Sequence, residues 1–200
     1  MELITLVLLQ RTLRKIMFKD TVLTFEDDKI MAGPPFYNEV MMSWEDPIMK
    51  RSAEFICESK GDILEIGFGM GICADYIQAQ NVKSHTIIEM HPQVIERLKT
   101  WASDKDNVIL IESDWYKVKN ISGYDGIFFD TFGDKHWPEF KQFALKVANK
   151  GAKITYWNNS EDENRAYGFK PKSFEEINIV PDSNKYTDIK STYYMPKVIV

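Results

Sequence analysis

Positive charge is in short supply in this chain. Its 200 residues include 25 Lys and Arg against 30 Asp and Glu, a formal net charge of −5. Gripping a phosphate backbone needs basic patches, so no nucleic-acid partner is expected. Cysteine is scarcer still, with Cys57 and Cys73 alone. Two thiols make no disulfide framework, and no paired Cys/His spacing suggests a metal site. The expectation is two small buried hydrophobes in a reducing cytoplasm, with no metal. Long apolar runs are missing as well. Residues 1–9 are apolar, but a bilayer span takes about 20 residues. A signal peptide begins with basic residues, whereas Arg11, Arg14 and Lys15 follow the apolar stretch and no small-residue cleavage site comes after. Leu3, Leu6, Leu9 and Leu13 instead sit at the spacing of an amphipathic helix, expected to pack or to meet a second subunit. No membrane association is expected.

What is present is an ordinary globular composition, 44% hydrophobic and 28% charged, with enough length for one domain and a sizeable core. The first part, residues 1–60, reads as an N-terminal helical or lid segment. A short strand is expected over 21–25, a Gly33-Pro34-Pro35 loop over 31–38, and helix over 40–44 and 47–59, with Pro47 at an early helical position. From residue 61 to 200 the pattern changes. Apolar blocks at 63–66, 86–89, 108–111, 124–129 and 152–157 read as strands. Helical spacing covers 72–79, 92–102 and 138–149, the last closed by Lys150-Gly151. Repeated βα units predict an α/β fold, a Rossmann-like doubly wound sheet of about seven strands with helices on both faces. Residues 177–180 and 193–200 complete it as an antiparallel C-terminal hairpin.

The chemistry starts at Glu65-Ile66-Gly67-Phe68-Gly69-Met70-Gly71. Glycines allow the backbone to adopt positive φ and to approach a ligand closely. A dinucleotide fold usually spaces them G-x-G-x-x-G; here the third glycine comes one residue early and an acid stands two residues before the first. That form resembles the first motif of class I S-adenosylmethionine-dependent methyltransferases, where the turn packs against the methionine part and the ribose. Glu89 ends the second strand, where a carboxylate accepts ribose hydroxyls, or simply caps the next helix. After the third strand, Ser113, Asp114 and Trp115 fall beside the adenine position, Asp114 as acceptor and Trp115 as a ring cover. Asp130 closes an otherwise apolar strand, where a carboxylate is costly without a partner; the reading is a site for a cationic or polar nitrogen substrate, against a plain loop-capping role. His85 and His91 read as surface or helix-start residues, and His136 as a loop residue near the substrate.

Several stretches together, Val40 to Met49 with its Trp44-Glu45-Asp46-Pro47, Gly67-Phe68-Gly69-Met70, Ile87 to Pro92, Phe129-Asp130-Thr131 and Tyr193-Tyr194-x-Pro196, resemble the guanidino N-methyltransferases. That family joins guanidinoacetate N-methyltransferase with the arginine δ-N-methyltransferases of proteins. The resemblance implies S-adenosyl-L-methionine as cofactor, held by Met41, Glu65, Gly67, Gly69, Gly71, Glu89, Met90, Ser113, Asp114 and Trp115. It implies Glu45 and Asp130 as the two guanidino-binding, catalytic carboxylates, and backbone amides near Asn159 and Ser160 for a substrate carboxylate. A helix N-terminus stabilised by Glu45 is the other reading of that residue. The segment with Arg165, Lys170 and Lys172 is shorter than in the guanidinoacetate enzyme, His91-Pro92 is closer to the arginine branch, and that branch's extra N-terminal domain is not in the sequence. The expected partner is a small guanidino molecule; the alternatives are an arginine of a protein, or a module that binds the cofactor without catalysis.

Overall fold

The computed structural model describes residues 17–158, 167–181 and 191–200. The expected N-terminal helix, Asn159, Ser160 and Arg165 lie outside the described residues. Three short strands come first: β1 (Leu23–Phe25), β2 (Lys29–Ala32) and β3 (Asn38–Met42). They form an antiparallel three-stranded sheet of their own. Residues 40–42 of the helix expected over 40–44 are therefore strand. Five residues cannot nucleate a stable helix alone, whereas pairing Met41 with Ile30 and Met42 with Lys29 gives each backbone group a partner. A single 3-10 turn (Ser43–Glu45) leads into helix α1 (Asp46–Ile56), which carries Pro47 in its first turn as expected.

The second sheet is built from βα units. Strand β4 (Asp62–Ile66), helix α2 (Ile72–Ala79), β5 (Ser84–Glu89), α3 (Pro92–Ala102), β6 (Val108–Glu112), β7 (Tyr124–Phe129), α4 (Phe140–Val147) and β8 (Ala148–Tyr156) follow in turn. Strands β9 (Ser173–Asn178) and β10 (Thr192–Ile199) close the chain. The sheet has seven strands in the order β6-β5-β4-β7-β8-β10-β9. The first five in that order are parallel, and β10 runs antiparallel to both β8 and β9. This is the doubly wound architecture that the sequence predicts. Residues Ile63, Leu64 and Ile66 of β4 are fully buried, as central parallel strands covered on both faces require. One hydrophobic cluster joins α1, α2 and α3 to the sheet, and a second joins α4 to the other face through Phe140, Ala144 and Val147.

One boundary differs with a clear cause. The helix expected to reach residue 149 stops at Val147, and Gly151 lies inside β8 rather than after a helix. Pairing with β7 jumps from Tyr124↔Ala148 to Gly126↔Lys153, so β8 bulges here, and Gly151 takes the positive φ of +85° that the bulge demands. The Asn149 amide donates to Gly123 O at 2.9 Å and Asp125 Oδ1 at 2.8 Å, tying the bulge to the start of β7.

Candidate active site

The strand order reverses between β4 and β7, and ligands of open α/β sheets bind at that switch point, beyond the carboxyl ends of the strands. There the chain leaves β4 through Gly67, whose N–H donates to Ile88 O at 2.9 Å, while Asp130 N–H donates to Ile66 O at 2.9 Å. Gly67 has φ +92°, and a Cβ there would collide with the carbonyl oxygen of Asp130. Gly69 has φ +56°, and a Cβ there would collide with the Met41 sulfur. The same sulfur accepts the Met70 N–H at 3.1 Å, so a side chain of β3 caps the turn from above.

Around this turn lies a cavity of about 430 Å³. Met41, Glu65, Gly67, Gly69, Glu89, Met90, Ser113, Asp114, Trp115 and Asp130 all line it, which brings together most of the residues singled out in the sequence. Gly71 starts α2 and is not among the lining residues, and neither is Glu45. Glu45 is 2% exposed, and its Oε1 accepts the Met42 N–H at 2.8 Å across the 3-10 turn. Glu45 and Asp130 nevertheless act on one group: the negative charge of each pushes the buried Tyr193 phenol upward, after burial itself. The Tyr193 hydroxyl donates to Tyr156 O at 3.2 Å and accepts the Asn158 N–H at 2.9 Å.

Glu89 does more than the sequence indicates. Its Oε2 accepts the Phe68 N–H at 3.0 Å, and its Oε1 accepts the N–H groups of Met90 and His91 at 2.8 Å each. A carboxylate has about four lone-pair positions. Glu89 thus both holds the glycine turn to β5 and keeps about one acceptor position for a ligand hydroxyl, not two.

On the adenine side, the three expected residues line the cavity but are also tied to their neighbours. Trp115 is 5% exposed, packed edge-on against Phe129 and Phe143, with Nε1–H donated to Asp134 Oδ2 at 2.7 Å. Its ring packs into the core while lining the cavity, and its one polar atom is engaged by Asp134. The open aromatic is its neighbour Tyr116, stacked on His136 with centroids 3.4 Å apart. Asp114 is held by Lys117 Nζ at 2.5 Å. Asp134 fixes the loop after β7, also accepting Thr131 Oγ1–H at 3.2 Å and the His136 N–H at 2.7 Å.

His85 and His91 are both buried, so neither is a surface residue, but His91 is the helix-start residue expected: its Nδ1 accepts the Gln93 N–H at 3.2 Å at the start of α3. His91 Nε2 donates to Thr21 O at 2.9 Å, so it ties the segment just before the small sheet to the start of α3. His85 Nε2 bonds Glu65 Oε2 at 2.8 Å. The two cysteines are buried and free, and burial pushes the Cys57 thiol up to about 12.

Electrostatically the cavity is acidic. Glu65, Glu89, Asp114, Asp130 and Asp134 line it, against Lys135 and His136 as the basic lining residues. Burial, and then the charge of Glu65, push the Asp130 carboxyl up to about 7. Burial also raises Glu65, opposed by its hydrogen bond to His85. Such a site favours cationic ligands. A cradle without Cβ atoms and a free acceptor position on Glu89 suit S-adenosylmethionine, which carries ribose hydroxyls and an ammonium group.

The fold and the glycine turn are those of class I S-adenosylmethionine-dependent methyltransferases. Superposition places the chain on spermidine synthase from Thermotoga maritima with a TM-score of 0.58 at 13% identity, over 88% of this chain and 72% of that one. It also matches the N-methyltransferase NodS from Bradyrhizobium japonicum WM9 with a TM-score of 0.55 at 12% identity, over 78% and 96%. At such identities the fold alone is shared. The sequence model of guanidinoacetate N-methyltransferase matches residues 20–179, and the chain belongs to that family. Protein arginine N-methyltransferase 2 of Aspergillus fumigatus is 34% identical over 89% of this chain and 47% of its own length. The protein of the same name from Saccharomyces cerevisiae is 34% identical over 60% and 32%. The chain thus spans half or less of the length of these curated relatives.

Among the lining residues that the sequence did not single out, four bear on the site's shape. Phe18 reaches the cavity from a 3-10 turn before β1, Phe36 from the turn between β2 and β3, Tyr116 lies beside Trp115, and Asp134 organises the loop. Only Asp134 leaves a trace in sequence, as an acid three residues after Thr131 and two before His136 in a turn.

Proposed function

We propose that this chain is an N-methyltransferase that modifies a guanidino nitrogen. The observation that carries the reading is Asp130: a carboxyl pushed up to about 7, at the end of β7, on the wall of an acidic cavity beside the glycine cradle. A free guanidinium is protonated and delocalised, hence a poor nucleophile. Asp130 binds its N–H edge, aims one nitrogen, and holds the proton that leaves that nitrogen as the new C–N bond forms. Glu45 is the second carboxylate of the pair, carried by the family resemblance and by its shared influence on Tyr193. Met41, Glu89 and the backbone at Gly67 and Gly69 hold the cofactor. S-adenosylmethionine supplies, when bound, an electrophilic methyl on a sulfonium sulfur.

The family description favours a small guanidino compound as acceptor. The names of the curated relatives favour an arginine residue in a protein, and that is the second reading. Purified chain incubated with methyl-labelled S-adenosylmethionine and a panel of guanidinoacetate, arginine and arginine-containing peptides separates them. Label on the small acceptors alone supports the first, label on peptides alone the second, and label on none of them sinks the guanidino reading.

A further inference from the structure

Glu65 sits in the middle of the sheet with no exposure, an unusual place for an acid. Its Oε2 meets His85 Nε2 at 2.8 Å, and His85 Nδ1 meets the Gln78 amide nitrogen at 3.2 Å. An amide nitrogen only donates, so Nδ1 is the acceptor and the ring proton sits on Nε2, pointing at Glu65. Gln78 on α2, His85 on β5 and Glu65 on β4 therefore form one directed hydrogen-bond chain that ends at the cavity wall. The other oxygen, Oε1, is buried and takes no N–H or O–H from the described residues; the Cys73 thiol lies close to the same carboxylate.

The groups facing Glu65 come from every element around it. They are His85 on β5, Cys57 just after α1, Cys73 and Asp75 on α2, Glu89 at the end of β5, and Asp130 just after β7. All but His85 are acids. Among the described residues, His85 is thus the one strong hydrogen-bond donor to a carboxylate that its surroundings would otherwise neutralise.

Resting on the methyltransferase reading above, we infer that His85, oriented by Gln78, is a positioning residue that keeps Glu65 a carboxylate with Oε1 presented to a cationic N–H donor of the cofactor. Remove the imidazole, and Glu65 takes a proton and loses its hold on that donor.

The test measures S-adenosylhomocysteine affinity by calorimetry between about pH 6 and pH 9, for wild type, His85→Leu and His85→Gln. Gln places a donor nitrogen where Nε2 stands. Expected for His85→Leu is at least a roughly tenfold loss near pH 7, recovering as pH rises and Glu65 ionises unaided. His85→Gln is expected within about threefold of wild type, with a flat profile. A purely structural role would give a loss that does not recover with pH, and that result, or wild-type affinity in a folded His85→Leu, overturns the proposal. Nitrogen-15 NMR of the wild-type imidazole needs no variant: a proton on Nε2 and none on Nδ1 is expected near neutral pH, and a proton on Nδ1 overturns it. Wild-type protein that binds no S-adenosylhomocysteine, yet shows the expected tautomer, would instead remove the cofactor reading on which the role depends.

Discussion

A carboxyl at the end of an apolar strand costs the folded chain stability unless something uses it. Asp130 has a native value of about 7, against about 3.9 for an unperturbed Asp. The folded state therefore holds the proton more tightly than the unfolded chain. The resulting penalty is absent below about pH 4, grows as pH rises through the window, and is complete above about pH 7, at most about 4 kcal/mol because the carboxyl faces an open cavity. Asp130→Asn removes it. The variant is expected to be more stable than wild type by about 1–3 kcal/mol at pH 8 and equal to it near pH 4, measured by denaturant unfolding at both pH values. The same substitution is expected to lower kcat/KM at least about a hundredfold, with S-adenosylhomocysteine affinity kept within about threefold. Unchanged turnover would take Asp130 out of the mechanism. Asp130 was legible in sequence because a lone acid after Ile127-Phe128-Phe129 breaks an apolar run. His85 was not, since nothing in Ser84-His85-Thr86 marks a side chain that points inward to meet an acid twenty residues earlier.

At the scale of elements, the β4–turn–α2 unit follows directly from its sequence, because glycine positions and apolar runs are local signals. The loop between β7 and α4 does not. Its shape depends on Asp134, which gathers Trp115 Nε1, Thr131 Oγ1 and the His136 N–H from two separate segments. Asp134→Ala would strand a buried indole N–H and free the loop. A loss of about 2–3 kcal/mol is expected, a fall in Tm of roughly 4–10 °C. Asp134→Asn, which keeps an acceptor oxygen for Trp115, is expected to lose about half as much. Equal melting of both variants and wild type in calorimetry would show that the loop does not depend on this carboxylate. Of the small sheet, β1 falls within the short strand expected over 21–25, whereas β2 and β3 were hidden, since strands of four and five residues carry too short a period to be told from loop or helix. The presence of β3 moves Met41 from a helix to a strand and explains how that sulfur comes to face Met70.

Across the whole molecule, the small sheet is docked on the large one by few polar ties. Gln93 Oε1 accepts the Leu23 N–H at 2.7 Å, and Gln93 Nε2 donates to Leu23 O at 3.0 Å. With His91 to Thr21, these join α3 to the strip beside the cavity. Gln93→Ala is expected to speed exchange of the Leu23 amide at least about tenfold, while the unfolding free energy of the large sheet moves by less than about 1 kcal/mol. Uniformly faster exchange across both sheets would mean that the two do not open separately. The sequence by itself determined the βα alternation, the glycine cradle, the acid at each strand end and the family, because backbone conformation and apolar period are written over short spans. Only the tertiary structure decided which polar groups are already spoken for: Glu89 largely by backbone amides, Trp115 by Asp134, Glu65 by His85. Trp115 and Asp134 lie 19 residues apart, Glu65 and His85 20, and Glu89 and Phe68 21, and burial selects such partners through the cost of leaving any one of them unpaired.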